Sequence, residues 1–187
     1  MGGQVNPLWQ TPVVPLLYLL SAVLMGYGVV LFESCIASAA YRREIETYML
    51  GPMAKVMLGM LGVYLAVRVV DLTVRGAWGN AFSFGLVAIF FWIEMILFCL
   101  PFALIGTVDA RRNPARLFLG GTSIMLAGSL LRINGYLIGY DTGPGWSYFP
   151  SIPELLVTFG MTAVAVLGFI VVTRLFPVLP REEASAN

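Results

Sequence analysis

Few ionisable side chains fall inside the long apolar stretches of this 187-residue sequence, and those few could do chemistry. The deepest is Glu94, in the run FFWIEM at 90–95. A charge at membrane depth costs at least ~2.5–3.5 kcal/mol, and such side chains usually face the interior of a helix bundle. Glu94 is too short and too deep to reach the interface. It is therefore either a structural hydrogen-bonding group between helices or a residue that carries protons or lines a quinone pocket.

Glu33 is a second carboxylate, in the first apolar stretch, with Gly26 and Ala37 on the same helical face. Small residues permit close approach of helices, which predicts that this face packs inward. Glu33 is then a proton-relay or polar-cavity residue, the alternative being a carboxylate that extends to the interface. Lys55 lies about two turns into the second stretch, where it either extends to the interface or pairs with Glu33. We take Glu33, Glu94 and Lys55 as candidates for a proton path.

Three further polar residues could bind a quinone or a carboxylate. Arg68 lies toward the end of the second stretch with Asp71 three residues on, which predicts an ion pair at the interface. Arg132 cannot lose its proton, so it needs a carboxylate, carbonyls, a ligand oxygen or water, and either Glu94 or a quinone carbonyl would serve. Asn134 follows in the same segment. Arg132, Arg68 and Asn134 are the candidate partners of a quinone or a carboxylate.

The composition excludes several other chemistries. Histidine is absent, which removes the commonest metal ligand and the usual axial ligand of a membrane haem. Two cysteines cannot form a multi-cysteine metal site, and we expect no disulfide between them. We therefore predict no metal site, no haem and no catalytic nucleophile. The net charge of +1 gives no sign of nucleic-acid binding.

The elements that position these residues are predicted to be membrane helices. Hydrophobic residues make up 59% of the chain and charged residues 11%, and the mean hydropathy is +0.86. So few charges cannot cover a water-facing surface, and a spanning helix needs about 20 apolar residues. We expect one all-α transmembrane domain of about five helices, surrounded by membrane lipid. The predicted spans are 13–39, 49–70, 81–105, 117–138 and 152–176.

Arginines predict the orientation of these spans. One side of the membrane would carry six of them: Arg42, Arg43, Arg111, Arg112, Arg116 and Arg181. The other side has only Arg75 among clearly extramembrane positions. The positive-inside rule then places the C-terminus in the cytoplasm and the N-terminus outside, in the periplasm of a bacterial inner membrane. The longest loop, 139–150, would face outward.

Three segments together resemble a known family. They are the runs NPLWQTP at 6–12, leading to FES at 32–34, then RIN at 132–134, and GPGWSYFPS at 143–151. These runs resemble the NrfD/polysulfide-reductase type of integral membrane subunit, most closely the HybB-type membrane subunit of periplasmic nickel–iron hydrogenase. The resemblance covers nearly the whole chain.

The resemblance implies a haem-free subunit that passes electrons between a periplasmic, ferredoxin-like iron–sulfur subunit of the hydrogenase and menaquinone. Glu33 matches the membrane acid of the family. The outward loop, with Asp141, Trp146 and Tyr148, would dock the iron–sulfur partner. Members of that family carry two related helical bundles, whereas this chain resembles the C-terminal one alone. A separate N-terminal half is therefore an expected partner.

The expected function is a membrane subunit of a quinone-linked, hydrogenase-type respiratory complex, with proton uptake through buried carboxylates. Two alternatives stay open: a purely structural anchor for a periplasmic enzyme, and a proton-conducting transporter half. Replacing Glu33 with Gln in the assembled complex separates a relay from an anchor. An anchor would keep full quinone-dependent electron transfer.

Overall fold

The computed structural model describes residues 6–40, 47–83, 85–139 and 151–175, with only part of the side chains in the last range. Within these ranges the chain is helical and contains no strand. The helices are α1 (Val14–Ala40), α2 (Thr47–Val74), α3 (Trp78–Ala81), α4 (Leu86–Ile105), α5 (Pro114–Ile133) and α6 (Ile152–Leu175). A 3-10 turn at Ala110–Arg112 precedes α5, and a π-helical segment at Asn134–Ile138 continues it.

Four helical stretches of the described residues are long and apolar enough to cross a membrane. They are Val14–Ala40, Thr47–Val74, Leu86–Ile105 and Pro114–Ile138. Their positions agree with the first four predicted spans, and α6 coincides with the fifth. The all-α fold is confirmed, and the chain is a multi-pass membrane protein. The third span is shorter than predicted, because Trp78–Ala81 forms a separate short helix before α4.

The chain divides into two compact units, Met1–Trp146 and Ser147–Asn187, and α6 is the described helix of the second. In the first unit, α5 lies at the centre and packs most extensively against α1 and α4. Two glycines allow α1 and α5 to approach closely. A Cβ atom added at Gly121 would lie 2.8 Å from the carbonyl oxygen of Gly28. Small residues are the usual means of bringing backbones together in membranes.

The start of α5 is fixed locally by its sequence. Pro114 occupies the first turn, where its missing N–H costs nothing. The side chain of Asn113 accepts hydrogen bonds from the backbone N–H groups of Ala115, at 3.0 Å, and Arg116, at 3.4 Å. These bonds satisfy donors that a helix start leaves free. Further along, the hydroxyl of Ser123 donates to the carbonyl of Leu97 at 2.6 Å and joins α5 to α4.

The residues before α1 fold over the end of this bundle. The backbone N–H of Asn6 donates to the carbonyl of Gly139 at 2.6 Å. Arg75 donates from Nη1 to the carbonyls of Pro7, at 2.6 Å, and Gln10, at 2.7 Å. We call residues 6–12 the N-terminal segment. Its bonds hold the side chain of Trp9 in the interior, where it is 3% exposed.

Candidate functional site

A buried ionic cluster surrounds Glu94, which is 0% exposed. Its Oε2 accepts hydrogen bonds from Asn134 Nδ2 at 2.7 Å and from Trp9 Nε1 at 3.2 Å. Its Oε1 lies 3.6 Å from Arg68 Nη2, which is an ion-pair distance but too long for a hydrogen bond. The carboxylate therefore joins α2, α4, the π-helical segment and the N-terminal segment. Buried charges of this kind are costly unless they are paired, and here the pair is Glu94 with Arg68.

Aromatic rings enclose the cationic side of this cluster. The guanidinium carbon of Arg68 lies 5.6 Å from the centroid of the Phe91 ring, which is a cation–π distance. Tyr64, one turn before Arg68 on α2, packs its ring against Phe98 at 4.4 Å between centroids. Tyr64 and Arg68 are both buried. We use the name buried cluster for Trp9, Tyr64, Arg68, Glu94 and Asn134.

Several polar atoms of the buried cluster have no hydrogen-bond partner among the described residues. They are the Tyr64 hydroxyl, Nε and Nη2 of Arg68, Oε1 of Glu94 and Oδ1 of Asn134. Most buried polar atoms in proteins are hydrogen-bonded, so five together at one place need an explanation. Donors and acceptors both occur in the set, which is the composition that binds water or a polar ligand group.

The π-helical segment explains how Asn134 reaches Glu94. The backbone N–H of Gly139 donates to the carbonyl of Asn134 at 2.6 Å, a bond that spans five residues instead of four. Such wide turns are rare and occur frequently at functional sites. Gly139 is also required here for space, because a Cβ atom would lie 2.8 Å from Cε3 of Trp9. The segment therefore positions both the asparagine and the indole that bond to the carboxylate.

An aromatic pocket of about 410 Å³ adjoins the buried cluster, and Trp9 belongs to both. We define this aromatic pocket by Trp9, Thr11, Tyr18, Gly135 and Tyr136, which lie among the residues that line it. The rings of Tyr18 and Tyr136 stack with centroids 5.8 Å apart and an interplanar angle of 11°. Tyr136 is 72% exposed, so the pocket opens at the surface of this unit. It therefore offers a mainly apolar site one indole ring away from Glu94.

Arg132 is not the partner of Glu94, which corrects that prediction. Its Nη1 donates to the carbonyl of Gly128 at 2.8 Å and lies 3.1 Å from the sulfur of Met25. The reason is helical geometry, since residues two apart on a helix do not face the same way. Asn134 points into the buried cluster and Arg132 points toward α1, with its guanidinium carbon 5.9 Å from the ring centroid of Tyr18.

The predicted pair of Arg68 with Asp71 is also corrected. Asp71 instead pairs with Arg75, one turn further along α2, and accepts a hydrogen bond from the Thr11 hydroxyl at 2.5 Å. Arg68 is 1% exposed and extends toward α4. The two side chains are three residues apart, but burial decides their partners. Among the described residues Arg68 is the cation that pairs with Glu94, whereas Asp71 at the helix end pairs with Arg75, which also binds the N-terminal segment.

Glu33 and Lys55 do not join the buried cluster. The buried residues of α1 recur at intervals of three and four: Leu17, Ser21, Leu24, Gly28, Leu31 and Cys35. Glu33 falls between the last two of these, on the opposite side, and it is exposed together with Gly26 and Ala37. The prediction that this face packs inward is therefore wrong for this unit. Lys55 is exposed as well, and within the described residues it forms no ion pair with Glu33.

Sequence reasoning missed Trp9 and Tyr64 as members of the site. The signal for Trp9 was a large aromatic between two prolines in a polar segment, next to the first span. Tyr64 stands one turn from Arg68 and could have been linked to it by spacing alone. The predicted docking residues Asp141, Trp146 and Tyr148 lie outside the described residues. Both cysteines are free, Cys35 buried and Cys99 exposed, as expected.

The fold and the site together define a multi-pass helical membrane protein with a paired carboxylate in its interior. Comparison with known proteins adds one curated relative, the "Probable Ni/Fe-hydrogenase 2 b-type cytochrome subunit" of Escherichia coli (strain K12). The two are 31% identical over 182 residues, which cover 96% of this chain and 46% of that protein. The chain thus spans about half the length of the relative. No family model matches the chain, and no solved structure matches it.

This match corrects two predictions. The relative carries the name of a b-type cytochrome subunit, not that of an NrfD- or HybB-type subunit, so the family expected from the motifs is not supported. A b-type cytochrome holds haem, which contradicts the expectation of a haem-free subunit.

The residues of this chain do not fit a haem by themselves. Membrane haems of the b type take histidine as an axial ligand, and the sequence contains none. The buried cluster offers a carboxylate, a guanidinium, an amide and a phenol instead. Its donors and acceptors suit protons and polar ligand atoms, so we derive no step through a haem.

Proposed function

We propose that this chain is part of a membrane subunit that passes electrons between a hydrogenase and a quinone, with menaquinone as the acceptor. An iron–sulfur partner on the outer side would deliver the electrons. The name of the relative supports the link to a hydrogenase, and the helices support a location in the lipid where quinones dissolve. Reduction of a quinone takes two electrons and two protons and yields the quinol. A site for this reaction needs a flat apolar pocket and a group that supplies protons.

One observation carries the proposal: the aromatic pocket and the buried cluster share Trp9. The pocket is bounded by three aromatic rings, those of Trp9, Tyr18 and Tyr136, and a quinone ring could stack on them. Behind the indole lies Glu94, whose Oε1 has no hydrogen-bond partner among the described residues. Because Trp9 lines the pocket and also bonds to Glu94, we expect this carboxyl group to deliver a proton to the pocket through bound water.

Within this site each residue has a separate role. Arg68 stabilises the negative charge of Glu94 when the carboxylate is ionised, and Asn134 donates a hydrogen bond to Oε2 of Glu94. The unpartnered Tyr64 hydroxyl and Asn134 oxygen are polar atoms of the buried cluster to which a bound water can bond. Because Trp9 only donates through its ring nitrogen, it positions the carboxylate and does not relay protons.

We propose further that the end of the bundle with Arg111 and Arg112 faces the cytoplasm. The positive-inside rule supports this orientation. The aromatic pocket then lies toward the outer face, because Trp9, the C-terminal end of α2 and the N-terminal end of α4 share that end of the bundle. This is the side from which a periplasmic donor would deliver electrons.

The proposal is tested by Glu94→Gln in the assembled complex. Gln keeps an oxygen for Trp9 and Asn134 but cannot donate a proton from a carboxyl group. We expect hydrogen-dependent quinone reduction in native membranes to fall by about 10²–10⁴-fold, the usual contribution of a positioned acid or base. Reduction of a soluble dye by the hydrogenase itself is expected to stay unchanged.

Ser123→Ala serves as the control, because it removes a hydrogen bond between α4 and α5 but lies outside the site. It should retain quinone reduction. If Glu94→Gln assembles and reduces quinone at the rate of the control, the proposal is wrong.

A structural anchor is the competing function, and one observation favours it. The same cluster ties the N-terminal segment, α2, α4 and α5 together, which a purely structural group would also do. The experiment separates the two. An anchor predicts that Glu94→Gln lowers the amount of assembled complex but not the rate per complex.

A further inference from the structure

We propose that a basic cleft at the other end of the bundle binds a phosphate group, the charged part that anionic phospholipids and soluble phosphate share. The cleft has a volume of about 600 Å³ and lies between the first turns of α2 and the connection from α4 to α5. Its lining includes Lys55, Arg111 and Arg112, with the hydroxyl-bearing Thr47 and Tyr48. This proposal does not rest on the electron-transfer function.

The described residues that line the cleft include three cations and no acidic side chain. Within the described part of the chain, Lys55 and Arg112 form no ion pair or hydrogen bond through their charged groups. In the sequence, residues 41–46 before α2 carry two arginines and two glutamates and add no net charge. Three cations facing one cleft repel each other, and a bound dianion or monoanion removes that repulsion.

One of the cations is held in place by the backbone. Arg111 Nη1 donates to the carbonyls of Ile105 at 3.1 Å and Gly106 at 2.9 Å, at the end of α4. The remaining N–H groups of its guanidinium stay available for a second acceptor. The 3-10 turn that carries Arg111 and Arg112 packs against α2. The cleft is therefore a built feature of the fold, with a fixed guanidinium that can bind phosphate through paired N–H groups.

The position of the cleft favours a lipid as the source of the phosphate. It lies where α2 begins and α4 ends, which is the level of the headgroups for helices that span the hydrocarbon. Lys55 stands two turns inside α2, so its chain extends along apolar surface to this level. Basic pockets between membrane helices are known to bind anionic headgroups, each cation adding to the attraction. The positive-inside rule accounts for the number of cations at this end of the bundle, but it does not require that three of them line one cleft.

The test compares lipid binding to the full chain, purified in neutral detergent, with that of two variants. Native mass spectrometry measures retention of phosphatidylglycerol and cardiolipin, with phosphatidylcholine as the zwitterionic reference. We expect the wild-type chain to retain both anionic lipids. The double variant Lys55→Gln/Arg112→Gln should bind them at least about tenfold more weakly, since it lacks two of the cations. Arg116→Gln is the control, because it removes an exposed cation at the same end that does not line the cleft.

A parallel titration uses inorganic phosphate in place of lipid. If phosphate binds the wild-type chain and displaces the anionic lipids, the site is confirmed and phosphate is a second source. If only the lipids bind, the site is confirmed as a headgroup site. Equal retention of phosphatidylcholine and phosphatidylglycerol by the wild-type chain would overturn the proposal. So would equal weakening in the double variant and Arg116→Gln.

Discussion

A single carboxylate, Glu94, connects four parts of the chain that are far apart in sequence. Its partners are Trp9, Arg68 and Asn134, and each comes from a different element. A paired charge in the interior is expensive to bury, and much of that cost is recovered only while both partners are present. We therefore expect that removing one member of the Glu94–Arg68 pair lowers the free energy of unfolding more than removing both.

Arg68→Met should destabilise the protein by about 3–5 kcal/mol, the usual cost of leaving one buried charge without its partner. The double variant Arg68→Met/Glu94→Gln removes both charges and should recover a large part of that loss. Reversible unfolding in mixed detergent micelles measures both free energies of unfolding. A double variant as unstable as Arg68→Met would show that Glu94 and Arg68 do not act as a pair.

The sequence predicted that Glu94 is buried but not what it binds. Depth and hydropathy were sufficient to predict that Glu94 is buried, because the side chain of a glutamate is too short to reach water from the middle of a span. Arg132 was one expected partner, with a quinone carbonyl as the alternative for that arginine, and the structure pairs Glu94 with Arg68 instead. The choice depends on which neighbouring helix each arginine faces: Arg68 extends toward α4, whereas Arg132 extends toward α1. Spacing along one helix does not specify that neighbour, so the partner could not be read from it.

At the scale of the elements, two features hold the site together. One is the close packing of α1 against α5, and the other is the N-terminal segment. The two helices meet at Gly28 and Gly121. The N-terminal segment is held by Arg75 and Asp71 at the end of α2. The sequence predicted four of these spans within a few residues of their observed bounds. It did not predict the folded N-terminal segment, because Arg75 binds the segment through the backbone carbonyls of Pro7 and Gln10, which every residue type carries.

Gly121→Ala should destabilise the bundle by about 1–3 kcal/mol, because a methyl group there meets the backbone of Gly28 and the helices must separate. Gly59→Ala is the matched control on α2, where an added Cβ meets nothing within 4 Å. It should be neutral or slightly stabilising, as alanine is favoured over glycine within a helix. Thermal unfolding in the same detergent compares the two. Equal melting temperatures would contradict the close approach of α1 and α5.

Arg75→Gln should release the N-terminal segment without unfolding the helices. The backbone N–H groups of Leu8 and Trp9 bond to Asn6, and this turn is held against α2 by Arg75. Hydrogen–deuterium exchange should therefore become faster at residues 8–10 and stay unchanged in the middle of α1. Arg116→Gln is the control. Unchanged exchange at 8–10 in Arg75→Gln would show that the other bonds suffice to hold the segment.

The first unit, Met1–Trp146, is a helical bundle with two polar features at opposite ends. The buried cluster and the aromatic pocket lie toward the start of α1, and the basic cleft lies toward the start of α2. Composition predicted a helical membrane protein, because a chain with only 11% charged residues cannot cover a surface that faces water. Composition does not predict a function. The curated relative suggests one, but the match covers 46% of that protein.

The proposed orientation predicts which end of the bundle a membrane-impermeant thiol reagent can reach. Ser83→Cys lies beside the outer end of α4, and Asn113→Cys lies at the arginine-rich end, each in a chain whose Cys35 and Cys99 are replaced by Ala. In intact bacterial cells with a permeabilised outer membrane, we expect only Ser83→Cys to react. Reaction of Asn113→Cys alone would reverse the orientation.

The proposed quinone site in the aromatic pocket is tested most directly by locating the quinone itself. An azido-quinone is photolysed with the assembled complex in its membrane, and the labelled peptides are identified by mass spectrometry. We expect label on Trp9, Tyr18 or Tyr136, lost when excess unlabelled menaquinone is present and retained in the Ser123→Ala control. Quinone-protectable label confined to residues outside the aromatic pocket, in a complex that reduces quinone normally, would contradict it.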